Sequence, residues 1–81
     1  MGNANYKVWI KMNCPYCVKA QALLLEKQLK HEVFVVDEDP ALLESVQKKY
    51  DWKTVPVVVE EVEDSENFIG GYTDLLEHLN T

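Results

Sequence analysis

Residues 11–20 read KMNCPYCVKA and hold both cysteines of the chain, Cys14 and Cys17, with Pro15 and Tyr16 between them. Just before them, YKVWIKM (residues 6–12) is dense in β-branched and aromatic side chains, the composition of a strand. Pro15 suits the first turn of a helix, where its φ is already correct and its missing N–H costs nothing. From Tyr16 to about Lys30, YCVKAQALLLEKQLK is built of good helix formers. Cys17, Ala20 and Leu24 fall on one side of that helix, with Leu25 a further candidate. A strand therefore passes into a helix at Cys14.

The rest of the chain extends this start. EVFVV (32–36) is a short, nearly continuous apolar run, which predicts a strand covered on both faces. DEDP ends it and opens a second helix, with Asp39 as N-cap and Pro40 at its first position. That helix should run from Pro40 to about Tyr50 and bury Leu42, Leu43 and Val46. VPVVVEEV (55–62) reads as a third strand entered through Pro56, EDSE (63–66) as a turn and NFI as a fourth strand. Gly70-Gly71 breaks the chain before a last helix over TDLLEHLN. The order is β-α-β-α-β-β-α. Strands joined by a helix should pair in parallel and those joined by a turn antiparallel. The expected class is α/β, a four-stranded mixed sheet with three helices on its two faces.

An 81-residue chain that is 47% apolar makes one small folded domain, expected over residues 1–81. No apolar run approaches the roughly 20 residues that cross a bilayer, and the first ten residues lack a secretory layout. Met1-Gly2 invites the myristoylation pattern, but Tyr6 stands where Ser or Thr is required. A cytoplasmic protein with neither membrane nor nucleic-acid partners is expected. The net charge of −6 argues against nucleic acid, which calls for a basic face. Five lysines lie within residues 1–34 against Glu26 and Glu32, so the cysteines occupy the basic part. The chain has no arginine, so any anion must be met by lysine or backbone N–H groups.

Three chemistries are open to the cysteine pair. A Cys14–Cys17 disulfide would close a four-residue loop worth only roughly 2 kcal/mol, restraining little that the helix does not already hold. Zinc usually takes four ligands, and His31 and His78 lack the spacing to supply the others. Each reads better as an exposed residue near a helix C-terminus. A cluster shared between two chains remains open. The third possibility is redox chemistry. Cys14 stands at a helix start, where unpaired N–H groups and the helix dipole favour a thiolate, with Lys11 and Lys19 nearby. Cys17, one turn on, shares the apolar side of the helix. Cys14 is thus the expected attacking thiol and Cys17 the resolving one.

CPYC at 14–17, TVP at 54–56 and GGYTDL at 70–75 together resemble the glutaredoxins in type, order and spacing, over about residues 5–80. Asn13 stands where a thioredoxin would place Trp before its two cysteines. The resemblance implies a thioredoxin-like (glutaredoxin) fold and a glutathione-dependent thiol–disulfide oxidoreductase. It implies that Pro56 is a cis-proline and that Val55 offers its backbone to a substrate cysteine. Gly71, Thr73 and Asp74 would hold the γ-glutamyl end of glutathione at the last helix. Lys11 would meet the glycine carboxylate, Tyr16 would flank the tripeptide, and Lys53 and Thr54 would border it. Tyr72 follows the two glycines where many relatives have a small residue, and Gln47 is the available second-helix candidate. Trp9, Tyr50 and Trp52 are read as core or rim aromatics. Glutathione is the implied co-substrate, with no metal. The implied partners are disulfide-bearing or glutathionylated proteins, ribonucleotide reductase among the candidates, and the chain is expected to be monomeric. A redoxin served by thioredoxin reductase, or a glutathione-ligated iron–sulfur carrier, are the alternatives.

Overall fold

The computed structural model describes residues 4–80; the Met1-Gly2 pattern lies outside them. Its elements are β1 (Asn5–Ile10), α1 (Pro15–Glu26), β2 (His31–Val35), α2 (Pro40–Tyr50), β3 (Val57–Val62), β4 (Ser65–Gly70) and α3 (Tyr72–Leu79). The order matches the one expected, and the four strands form one mixed sheet arranged β2-β1-β3-β4. β1 runs parallel to β2 and antiparallel to β3, which runs antiparallel to β4. No described helix is long and apolar enough to cross a membrane.

Alternation along β1 sends Tyr6, Val8 and Ile10 to one face. There they join Val58 of β3, Cys17, Ala20, Leu23 and Leu24 of α1, and Leu75 of α3 in one apolar cluster. Val57 and Val59, which flank Val58, point the other way and are fully buried. Phe68, the ladder partner of Val59, stacks on Tyr50 at the end of α2 with centroids 5.0 Å apart. α2 thus covers the second face, with Val46 as its buried residue. Asp39 caps it by accepting the Leu42 N–H at 3.1 Å.

Both long helices stop on non-glycine residues in the left-handed region. Gln28 (φ 57) follows α1, and the Gln28 and Leu29 N–H groups donate to the carbonyls of Leu25 and Leu24. Asp51 (φ 53) ends α2 likewise, with Asp51 and Trp52 donating to Lys48 and Gln47. These paired bonds satisfy terminal carbonyls and turn the chain sharply. α1 consequently ends at Glu26, four residues before the expected Lys30.

Other expectations need correcting. Leu25 is exposed and Leu23 buried, because Leu25 sits about 100° round the helix from Leu24, away from Ala20. Leu42 and Leu43 are only half-buried. The run 32–36 is not covered on both faces: β2 is the sheet edge, and Val33 and Val35 are 38% and 48% exposed. The cluster beneath α1 draws on β1 and β3 but takes nothing from β2. His31 lies in β2 rather than at a helix end, and β4 begins already at Ser65.

Glu60 of β3 ties the sheet to the last helix. It accepts from the Tyr6 hydroxyl at 2.8 Å and from Asn67 at 3.3 Å, and pairs with His78 at 3.1 Å. Burial pushes its carboxyl up, but these hydrogen bonds outweigh that and hold it below its ordinary value.

Gly70 has φ 123, and a Cβ there would come within 2.6 Å of the Asp74 carboxylate. Gly70→Ala should therefore destabilise the fold by about 1–3 kcal/mol, read as a lowered urea midpoint. Gly71→Ala should cost less, since its Cβ would meet its nearest neighbour, Trp52, at an ordinary 3.6 Å.

Candidate functional site

Cys14 is the N-cap of α1, with extended backbone angles (φ −126, ψ 105). Its sulfur accepts the Cys17 N–H at 3.3 Å, taking the place that a Ser or Asp oxygen commonly fills. On the other side its thiol approaches the Val55 carbonyl oxygen at 3.7 Å. Cys14 is partly exposed, whereas Cys17 is 0% exposed. Both are free thiols. Burial, reinforced by the hydrogen bond with Cys14, pushes the Cys17 thiol up to about 12. Cys17 is thus protonated at neutral pH.

Val55-Pro56 is a cis peptide, and Pro56 is fully buried just before β3. Because β1 and β3 are antiparallel, with Trp9 opposite Val57, the exit of β1 and the entry to β3 lie at the same end of the sheet, and the Val55 carbonyl meets Cys14 there. Beside that contact lies an open groove of about 330 Å³. Tyr16 of α1 forms one part of its wall; Trp52, Thr54, Val55 and Pro56 form another; Gly71, Tyr72, Thr73 and Asp74 complete it. The three motifs singled out in the sequence therefore meet in space. Tyr16 and Tyr72 tilt toward each other with centroids 6.2 Å apart, and Lys19 Nζ sits 5.3 Å and 6.0 Å from their centroids. That places a cation over two ring faces.

Gly71 is the N-cap of α3, and its N–H donates to Asp74 Oδ2 at 3.0 Å. One of the two Asp74 oxygens is therefore already engaged in starting the helix. The helix N-terminus still presents positive polarity to the groove.

Lys11 and Lys53 do not border the groove. Lys11 is exposed in the β1–α1 loop. Lys53 faces a second hollow of about 270 Å³, shared with Gln47, Lys48, Glu44 and Asp51. Trp52 stands between the two spaces and lines both. The sequence offered it only as a core or rim aromatic; its place directly before K-T-V-P was the available signal. The Phe68 edge contact, with centroids 5.3 Å apart, holds its ring, and its Nε1–H is buried without an acceptor among the described residues. No group of three His, Cys, Asp or Glu side chains suited to a metal occurs among those residues.

A family model described as glutaredoxin matches residues 7–63. Glutaredoxin 3 of Escherichia coli (strain K12) is 33% identical over 72 residues, which is 89% of this chain and 82% of that protein. Among solved structures, glutaredoxin 1 of Francisella tularensis, complexed with cacodylate, superposes with a TM-score of 0.75 at 24% identity. That match covers 95% of this chain and 93% of the other. A dithiolic glutaredoxin of Trypanosoma brucei brucei gives 0.68 at 32% identity, covering 98% and 77% respectively.

The different surroundings of the two thiols predict selective alkylation. Brief iodoacetamide treatment of the native reduced chain at neutral pH should label Cys14 and spare Cys17, as read by peptide mass spectrometry. Full labelling of both should require denaturant.

Proposed function

Because the chain belongs to the glutaredoxin family of thiol–disulfide oxidoreductases, with its thioredoxin-like fold, we propose that glutathione is its reductant and that Cys14 is its nucleophile. One observation carries this reading: the Cys14 sulfur stands 3.7 Å from the Val55 carbonyl, at the rim of the groove built by the other two motifs. A bound disulfide there meets an attacking sulfur and a backbone able to pair with a cysteine as an added strand does.

The Cys14 thiolate attacks one sulfur of the substrate disulfide. A Cys14–substrate disulfide forms, the substrate S–S bond breaks, and the leaving thiolate takes a proton. With a protein disulfide, Cys17 loses its proton and attacks the Cys14 sulfur. The reduced product leaves and Cys14–Cys17 is oxidised. Two glutathione molecules then restore the dithiol and depart as glutathione disulfide. With a glutathionylated protein, Cys14 takes the glutathionyl group and a second glutathione removes it, so Cys17 is not needed. The buried position of Cys17 suits this division, since a protonated thiol leaves the mixed disulfide time to meet glutathione.

Glutathione would lie with its cysteine along Val55 and Pro56 and its γ-glutamyl carboxylate at the α3 N-terminus. There Gly71 allows close approach, and Thr73 and Asp74 border the end group. Tyr16 and Tyr72 would flank the tripeptide, with Thr54 and Trp52 on the opposite wall. Lys11 and Lys53, outside the rim, act as mobile charges for the glycine carboxylate. Residues 1–81 act as a single domain, and disulfide-bearing or glutathionylated proteins are the substrates.

Cys14→Ser should abolish reduction of both substrate types. Cys17→Ser should keep deglutathionylation and lose protein-disulfide reduction; equal loss on a glutathionylated peptide would refute these roles. The electron donor is tested separately, by reducing a small mixed disulfide with glutathione plus glutathione reductase, then with thioredoxin reductase alone. Turnover is expected with the first system. Turnover with the second only would assign the chain to the redoxins served by thioredoxin reductase.

A further inference from the structure

The chain leaving β2 keeps one more parallel step beside β1, the Val36 N–H donating to Ile10 O at 2.9 Å. Val36 is buried, so the next residue, Asp37, is delivered to the loop that follows β1. There Asp37 Oδ1 accepts the Met12 N–H at 2.8 Å, across 25 positions of sequence. Met12 is 65% exposed, and Lys11 and Asn13 are exposed as well. Side-chain packing therefore does little to hold residues 11–13, while a hydrogen bond to a charged acceptor is among the stronger tethers. Two residues further on is Cys14.

We infer that Asp37 is a positioning residue for the thiol pair, whose carboxylate anchors the loop presenting Cys14 and whose charge slows the attack of Cys17, favouring the one-cysteine route over the two-cysteine one. The inference rests on the function proposed above. The Cys17 thiol meets Cys14 from the start of α1 and the Lys11 backbone from the loop, and it senses Asp37 from the end of β2. Tyr6 shares its apolar cluster but gives its hydroxyl to Glu60, and Lys19 lies over the tyrosine rings. Burial and Cys14 act on Cys17 more strongly than Asp37 does. Asp37, however, is exposed and can be changed without opening the core. A negative charge near a buried thiol disfavours its thiolate. Each unit of relief raises the thiolate fraction tenfold. Nucleophilicity falls with a Brønsted coefficient near 0.4–0.5, which leaves a net gain of about threefold in attack.

Two variants separate the anchor from the charge. Asp37→Asn keeps an oxygen for the Met12 N–H and removes the charge; Asp37→Ala removes both. In a Cys14→Ser background, the pH profile of Cys17 alkylation by iodoacetamide should move to lower pH in Asp37→Asn. With both cysteines present, the ratio of protein-disulfide to mixed-disulfide turnover should rise about threefold per unit of that movement. Asp37→Ala should slow Cys14 alkylation and both activities, and Asp37→Asn should restore them, with thermal unfolding confirming that each variant folds. An unmoved Cys17 profile in Asp37→Asn would overturn the inference. So would a fall in the turnover ratio, because it would make Asp37 the acceptor of the Cys17 proton. The alkylation profile needs no glutathione, so it stands or falls independently of the choice of reductant.

Discussion

The contact on which this molecule turns is the hydrogen bond from the Cys17 N–H to the Cys14 sulfur. It makes a sulfur the cap of a helix. A thiolate accepts from a backbone N–H better than a thiol does, so ionising Cys14 improves the cap. The same turn of helix carries the second sulfur inward, where Ala20, Leu24 and the β1 residues enclose it. A partly exposed sulfur and a buried one stand at the two ends of one helical turn. A shift of α1 against the sheet would move both thiols together, and the packing of α3 on α1 extends this dependence to the far wall of the groove.

A second organising element is Glu60. Tyr6 from β1, Asn67 from β4 and His78 from α3 all converge on this one carboxylate of β3. It thereby holds the C-terminal end of α3 to the sheet, while Asp74 shapes the N-terminal end by accepting from Gly71. Lys49 and Tyr50 meet Glu66 in a comparable way, joining the end of α2 to β4. In a chain with twelve acids after residue 34, these carboxylates are used as connectors between elements. Among the described residues, Asp74 is the one acid in the wall of the groove.

Local pattern made most of this legible. The β-branched run before Cys14, Pro15 and Pro40 at helix starts, and Asp39 as a cap each announced an element by a mechanism that acts over a few residues. What pattern could not convey were facts set by distant neighbours. EVFVV looks like a central strand because its residues are apolar, yet edge or centre is decided by which strand lies alongside. Gln28 and Asp51 adopt left-handed conformations that glycine would have advertised, so the true end of α1 was hidden. Leu23 and Leu25 are chemically alike, and only the orientation of α1 over β1 chooses between them. At the site, the three motifs were visible by type and spacing through a family resemblance. The separation of Lys53 from the groove by Trp52 depends on how α2 ends, which no spacing rule encodes.

The groove draws its walls from Tyr16, from the segment around Pro56 and from residues 71–74, while both thiols lie in the first quarter of the chain. During synthesis the cysteines leave the ribosome well before the helix that completes the groove. For that interval the nascent chain carries two free thiols without the groove that later lies beside them. The cluster that encloses Cys17 also stays incomplete until Val58 and then Leu75 arrive. On this architecture the groove gains its last wall only when residues 71–74 have emerged.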